Sequence, residues 1–284
     1  MTRKIQVGAI PYLNGKPLIE GYDSLRDSAD FQFHRPSRLA ELMAVDEIDI
    51  GLVSCVEYLR GKYAILPDVG VVSRGAVNSV LLTGCRPVDE AETVNLDPSS
   101  LTSCTLTALW YRLKLEKDPV FSRHPIGSPE ALACDAQLAI GDEGLFRSGQ
   151  SGYQVDLGEA WKEWIGYPFV YAAWLVRREV VLGRVGAFLR NAARKAPRPL
   201  RELAEEASRR LGLDTSLCLE YLTHSLQFSL DQEAITGLEI FLNMAAENAP
   251  WLSRIIEGFP PVNLPMPVHV EFHDEACPIS NMEP

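Results

Sequence analysis

Short apolar runs alternate with helix-periodic segments through the first half of the chain. Ile5 to Ile10 is the first run, and Tyr12-Leu13-Asn14-Gly15-Lys16-Pro17 after it reads as a tight loop. Pro36-Ser37 opens a segment in which Leu39, Leu42 and Met43 recur at helical spacing. Ile48 to Val53 predicts a second strand. Ser54-Cys55-Val56-Glu57 has the spacing of a capping box, which predicts a helix through Leu59. Val69 to Val72 and Ser79 to Thr83 predict two more strands. Such alternation is the pattern of a parallel α/β layer.

A similar unit begins near Thr93. Thr93 to Leu96 predicts a strand, and Asp97 to Ser103 is a turn rich in hydroxyls. A helix follows with Leu106, Leu109, Trp110 and Leu113 on one face. Ser128-Pro129-Glu130 starts another, with proline at its favoured first position. Gln137 to Ile140 predicts a strand ending at Gly141-Asp142, and Phe169 to Val176 predicts the last one. From Glu179 onward the spacing is helical, marked by Val181, Val185, Phe188 and Leu189, then Leu217, Tyr221, Leu222 and Leu226, then Ile235, Leu238, Phe241 and Leu242. Pro260, Pro261, Pro265 and Pro267 make the final stretch an extended tail on the surface.

This order predicts a two-lobed α/β protein. Residues 1–85 and 173–284 form lobe one and residues 86–172 form lobe two, with crossings near Gly84 to Pro87 and Ala172 to Leu175. A ligand then sits between the lobes, where strand C-termini and helix N-termini converge.

Composition narrows the partners. A length of 284 residues suits two lobes of ordinary size. A formal net charge of −11 argues against nucleic acid and against anionic membrane surfaces, so an anionic ligand needs a locally positive site. The apolar run after Met1-Thr2-Arg3-Lys4 ends at Pro11, too soon for a secretory signal. Phe169 to Val176 is too short to cross a bilayer. The six cysteines (Cys55, Cys85, Cys104, Cys134, Cys218 and Cys277) are scattered without any CxxC, as expected of reduced thiols in the cytoplasm.

The strand-to-helix junctions carry the candidate chemistry. Helix N-termini offer unpaired N–H groups and partial positive charge, so they hold carboxylates without a lysine. Ser54 lies at one junction, and Thr102, Ser103 and Cys104 lie at another in the other lobe. Two anion holders on facing lobes suit a ligand with two acidic groups; as plain N-caps the same residues need no ligand. Asn14 offers a donor and an acceptor directly after the first strand, or serves only as a turn residue. Arg74 can pair with a carboxylate in a fork or lie solvated. There is no Walker loop, GxSxG or GxGxxG. His34, His124 and His224 are isolated. The His269-Val270-Glu271-Phe272-His273-Asp274 segment with Cys277 has metal-ligand residue types, but a solvated acidic tail is the simpler expectation, and no metal is expected. Trp161 and Trp164 flank a turn before Pro168 and are expected to be packing residues.

The junctions resemble the chorismate dehydratase family. The resemblance is carried by Val7 to Asn14, Asp49 to Ser54, Val77 to Val80, Leu101 to Ser103, Ala139 to Asp142, Asp156 to Trp161 and Pro168 to Trp174, in the family's order. The helical remainder matches only in character. The resemblance implies a type II periplasmic-binding-protein-like fold, a cytoplasmic location and loss of water from chorismate to give 3-[(1-carboxyvinyl)oxy]benzoate in menaquinone biosynthesis via futalosine. It implies no cofactor, a small dicarboxylate as partner, neither nucleic acid nor membrane, and leaves room for an oligomer. On this basis Asn14 and Ser79 are expected to hold the ring hydroxyl and assist its departure. Tyr12, Ser54, Asn78, Thr102, Ser103, Gly141 and Asp142 are expected to bind the rest of the substrate. With no histidine base, the substrate's enolpyruvyl carboxylate takes the proton.

A sister family on this fold, 1,4-dihydroxy-6-naphthoate synthase, has a catalytic histidine just after the strand equivalent to Leu138 to Ile140. Gly141, Asp142 and Glu143 stand there instead. The alternatives are that sister lyase or a non-catalytic cytosolic module that binds a small acid.

Overall fold

The computed structural model describes residues 3–150, 152–195 and 198–274. Its strands are β1 (Ile5–Ala9), β2 (Ala29–Phe33), β3 (Ile50–Ser54), β4 (Tyr63–Ser73), β5 (Val80–Gly84), β6 (Thr93–Asn95), β7 (Val120–Ser122), β8 (Ala136–Ile140), β9 (Tyr153–Asp156), β10 (Phe169–Arg177) and β11 (Gln227–Leu230). They form two sheets, ordered β11-β4-β10-β3-β1-β2 and β7-β6-β8-β5-β9. Neither is wholly parallel. β10 runs antiparallel to both β3 and β4, and β5 runs antiparallel to β8 and β9. β3 is buried along its whole length and β10 nearly so, as central strands covered on both faces must be.

The helices are α1 (Pro36–Ala44), α2 (Leu101–Leu109), α3 (Pro129–Leu132), α4 (Gly141–Arg147), α5 (Leu157–Ile165), α6 (Arg184–Asn191), α7 (Leu200–Leu211), α8 (Thr215–Glu220), α9 (Gln232–Glu247) and α10 (Ala249–Ile255). Two π-helical turns, Trp110–Lys114 and Tyr221–Ser225, extend α2 and α8. Tyr12 to Pro17, expected as an irregular loop, lies mostly in a 3₁₀ helix, Leu13–Leu18.

The crossings between sheets lie at 74–79 and 157–168, earlier than the sequence pattern suggests. The reason is pairing. β5 is antiparallel to β8 from Val80↔Ile140 to Gly84↔Ala136, so it belongs wholly to the second sheet. β10 pairs with β4 from Phe169 onward, so the whole apolar run lies in the first sheet.

Three local expectations fail for identifiable reasons. The capping box at Ser54 does not form, because residues Cys55–Arg60 make a 3₁₀ helix with no side-chain cap. Glu57 is buried and ion-pairs Arg60 instead, and burial pushes its carboxyl above the usual range. The helical remainder is interrupted by β11, whose neighbours Leu226, Phe228 and Leu230 alternate at the two-residue period of a strand on the edge of β4. The tail is not a free acidic segment. Ile65 bridges Phe272, and the His273 amide donates to Ile65 O at 2.8 Å. The His273 ring is buried and hydrogen-bonds Val180 O at 2.7 Å. Cys277 lies outside the described residues, and among those residues no three His, Cys, Asp or Glu side chains are grouped to hold a metal. No helix of the described residues is long and apolar enough to cross a membrane.

The second crossing is locked by aromatic packing. Trp161 of α5, Phe169 of β10 and Phe241 of α9 meet edge-on, with centroids 4.9 to 5.9 Å apart. Trp161 Nε1 also donates to Pro168 O at 3.3 Å, so it is a packing residue, as expected. Gly237 lets α9 approach this crossing, since a Cβ there would stand 2.1 Å from Pro168 O. Gly237→Ala is therefore expected to destabilise the fold by about 1–3 kcal/mol in urea melts. Gly75→Ala, where a Cβ meets nothing within 4 Å, serves as the neutral control.

Candidate active site

The two sheets face one another across a cavity with about 480 Å³ of empty space, counting its open mouth. The first sheet contributes Ile10, Tyr12 and Asn14 beyond β1, Ser54 at the end of β3, Val71 on β4, and Tyr171 and Ala172 on β10. The second contributes Ser79 and Val80 at the start of β5, Ser100 and Ser103 at the start of α2, and Ile140 and Gly141 beyond β8. Its polar wall is thus made of hydroxyls, one amide and helix-start N–H groups. Among the described residues, no histidine, carboxylate or cationic side chain lines it.

The start of α2 is built to present donors. Ser100 caps the helix by accepting from Ser103 N at 3.3 Å, and its hydroxyl donates to Ser103 Oγ at 3.1 Å. That leaves the Ser103 proton free to donate, beside the first-turn amides that no helix can pair internally. Across the cavity, Ser54 Oγ caps nothing.

Tyr171 reaches the cavity through a β-bulge. Val170 pairs with Val72 while Ala172 pairs with Val71, so Tyr171 is the extra residue and the strand is bent there. Its hydroxyl lies 3.0 Å from Ser73 Oγ, and burial raises its pKa well above the usual phenol value. Tyr12 packs on Gly141, where a Cβ would stand 3.2 Å from the ring and where φ is +59°. Burial pushes the Tyr12 phenol up as well.

The crossing segment brings in Ser79. The Asp156 carboxylate accepts from the amides of Val77 (3.0 Å) and Asn78 (2.6 Å), and from those of Gly158 (2.8 Å) and Glu159 (3.1 Å). Burial still pushes that carboxyl up, because desolvation outweighs the bonds to the charged form. Ser79 accepts a hydrogen bond from Tyr221 Oη at 2.8 Å. Asn14 Oδ1 is buried without a partner.

Of the residues singled out in the sequence, Tyr12, Asn14, Ser54, Ser79, Ser103 and Gly141 line one cavity. Asn78, Thr102 and Asp142 do not. Asn78 has φ +61° and donates to Ser225 Oγ at 2.8 Å. Thr102 is fully buried against Cys55 Sγ at 3.5 Å, so its contribution to a ligand is confined to its backbone. Asp142 latches the halves together, accepting from Leu13 N and from Arg210, each at 2.9 Å. Arg74 is engaged by Gln227, Asp231 and Glu233, and Glu143 by Arg147. Ser100, Tyr171 and Tyr221 were not singled out. Tyr171 follows no break in its apolar run, and Tyr221 has the helical spacing of a core residue.

Comparison with known proteins matches residues 5–247 to the family described as menaquinone biosynthesis. The chorismate dehydratase of Thermus thermophilus is 30% identical over 227 residues, 72% of this chain and 83% of that protein. That of Campylobacter jejuni is 30% identical over 164 residues, 57% and 58% respectively. An Archaeoglobus fulgidus crystal structure superposes with a TM-score of 0.65 at 16% identity, covering 87% of this chain and 98% of that one. The alkanesulfonate-binding protein of Xanthomonas axonopodis, solved with MOPS bound, gives 0.59 at 15%, covering 92% and 96%. These structural neighbours place the fold among the periplasmic-binding-protein-like proteins.

The cysteines nearest the cavity are chemically quiet. Burial pushes both the Cys55 and Cys104 thiols up to about 12, so neither forms appreciable thiolate at neutral pH. At pH 8 an aromatic disulfide reagent is expected to label exposed Cys85 in the native protein, and Cys55 and Cys104 only after denaturation, as read by peptide mass spectrometry.

Proposed function

The chain belongs to the menaquinone-biosynthesis family, and from that premise we propose that it dehydrates chorismate to 3-[(1-carboxyvinyl)oxy]benzoate. The observation that carries the proposal is the cavity's chemistry. Its walls supply neutral donors and acceptors, and among the described residues no acidic or basic side chain lines them. Such a site suits a reaction whose substrate brings its own base and whose product is strongly favoured, and this elimination makes an aromatic ring.

In the proposed reaction the C–H bond at the ring carbon bearing the enolpyruvyl ether breaks. Its electron pair becomes a ring double bond as the neighbouring C–O bond to the hydroxyl breaks. The enolpyruvyl carboxylate receives the ring proton and gives it up to the departing hydroxyl oxygen, which leaves as water while the carboxylate is restored, so charge and atoms balance. The ring carboxylate is vinylogous to that C–H bond and takes up developing charge. Donors held on it therefore favour the transition state over the ground state. We assign Ser103 with the α2 amides and Ser54 to the carboxylates, and Asn14 and Ser79 to the ring hydroxyl. Tyr12 closes over the ring against Gly141.

Purified protein incubated with chorismate is expected to release the aromatic product, followed by its absorbance and by mass spectrometry. Asn14→Ala and Ser79→Ala should each lower kcat about 10²–10³-fold while keeping the fold, the usual loss when one donor to a departing or developing oxygen is removed. Near-normal rates in both variants would remove them from the mechanism. Tight binding of chorismate without turnover by the native protein would instead favour a small-acid binding module.

A further inference from the structure

A buried hydrogen bond between Tyr221 and Ser79 joins two distant parts of the sequence at the cavity wall, which Asn14 also lines. Tyr221 comes from the helical C-terminal stretch, on the π-helical turn Tyr221–Ser225, and only 1% of it is exposed. A phenol carries one proton and an oxygen that accepts. The proton is spent on Ser79 Oγ at 2.8 Å. Asn14 Oδ1, buried and unpartnered, is left as an acceptor, and the single Ser79 proton is left as a donor; both residues line the cavity. The same π turn also fixes the residue before Ser79, since Ser225 Oγ accepts from Asn78 Nδ2 at 2.8 Å. Residues four apart project from one side of the turn, so two neighbouring residues of the crossing segment are gripped at once.

We infer that Tyr221 is a positioning residue that points the Ser79 hydroxyl, as donor, at the oxygen that leaves the substrate. The inference rests on the chorismate dehydratase reading. An acceptor and a donor held side by side match a hydroxyl group, which donates through its proton to Asn14 Oδ1 and accepts from Ser79. As the C–O bond breaks, negative charge grows on that oxygen and the bond from Ser79 strengthens. The bond to Asn14 does not gain in the same way. Without the phenol, the Ser79 proton is free to rotate.

Tyr221→Phe keeps the buried ring and removes only the hydroxyl. Its expected effects are a melting temperature within a few degrees of native, a chorismate Kd within about 3-fold, and a kcat about 10–100-fold lower, since the lost interaction matters in the transition state. In single-turnover reactions on a Ser79→Ala background, adding Tyr221→Phe should change the rate by less than about 2-fold, because the phenol acts through Ser79. A native kcat in Tyr221→Phe overturns the inference, as does an equal loss on the Ser79→Ala background. If Ser79→Ala has no measurable turnover, the single variant decides: a kcat loss matched by an equal loss of chorismate binding marks a merely structural role and overturns it. Failure of the native protein to convert chorismate would sink the dehydratase reading itself, and this inference with it.

Discussion

The organisation of the molecule depends on one buried carboxylate. Asp156 ends β9 and draws in the amides of Gly158 and Glu159 in the first turn of α5, as an N-cap does. It also draws in the amides of Val77 and Asn78, which belong to the other link between the sheets. The two crossings are thereby fastened at one point, and Asn78 is held in a left-handed conformation that residues other than glycine seldom adopt. Ser79 enters the cavity from that clamp. The pKa direction records the cost: four amides solvate the charge, yet leaving water still raises the carboxyl.

The closed cavity is assembled from contacts that are individually modest. Tyr12 on Gly141, Asp142 on Leu13 and Arg210, and Tyr221 on Ser79 each connect a strand end of one sheet to an element of the other half. None requires a strong acid or base at the cavity wall. That restraint agrees with the proposed chemistry, in which positioning supplies most of the effect and aromatisation supplies the driving force.

Much of the fold was legible because its strands are short apolar runs with polar boundaries. The cavity was legible at the junctions that follow such runs, as at Asn14, Ser54 and Ser103, whereas Ser79, at the head of a run, was singled out only by the family resemblance. Other features had no local signal. β10 reads as one unbroken apolar run, so the pattern cannot say which sheet claims which end; only pairing with β3 and β4 does. β2, β7 and β9 are short strands at or near sheet edges and carry few apolar residues. α7 was missed because its buried face is Leu203, Ala204 and Ala207, whose small side chains leave a faint period. The π turn at Tyr221 is indistinguishable in sequence from an α-helical core turn. Asp142 looked like a ligand contact because it follows a strand, yet a residue at that place can equally close the cleft, and here its carboxylate is occupied twice.

The placement of Asn78 and Ser79 on the link itself bears on how far each can be displaced. When two bodies swing about short connections, points on the connections are displaced least and points farther out along the moving body are displaced most. Ser79, standing on such a connection and held there by Tyr221, is thus the part of the cavity wall whose place would change least were the halves to swing.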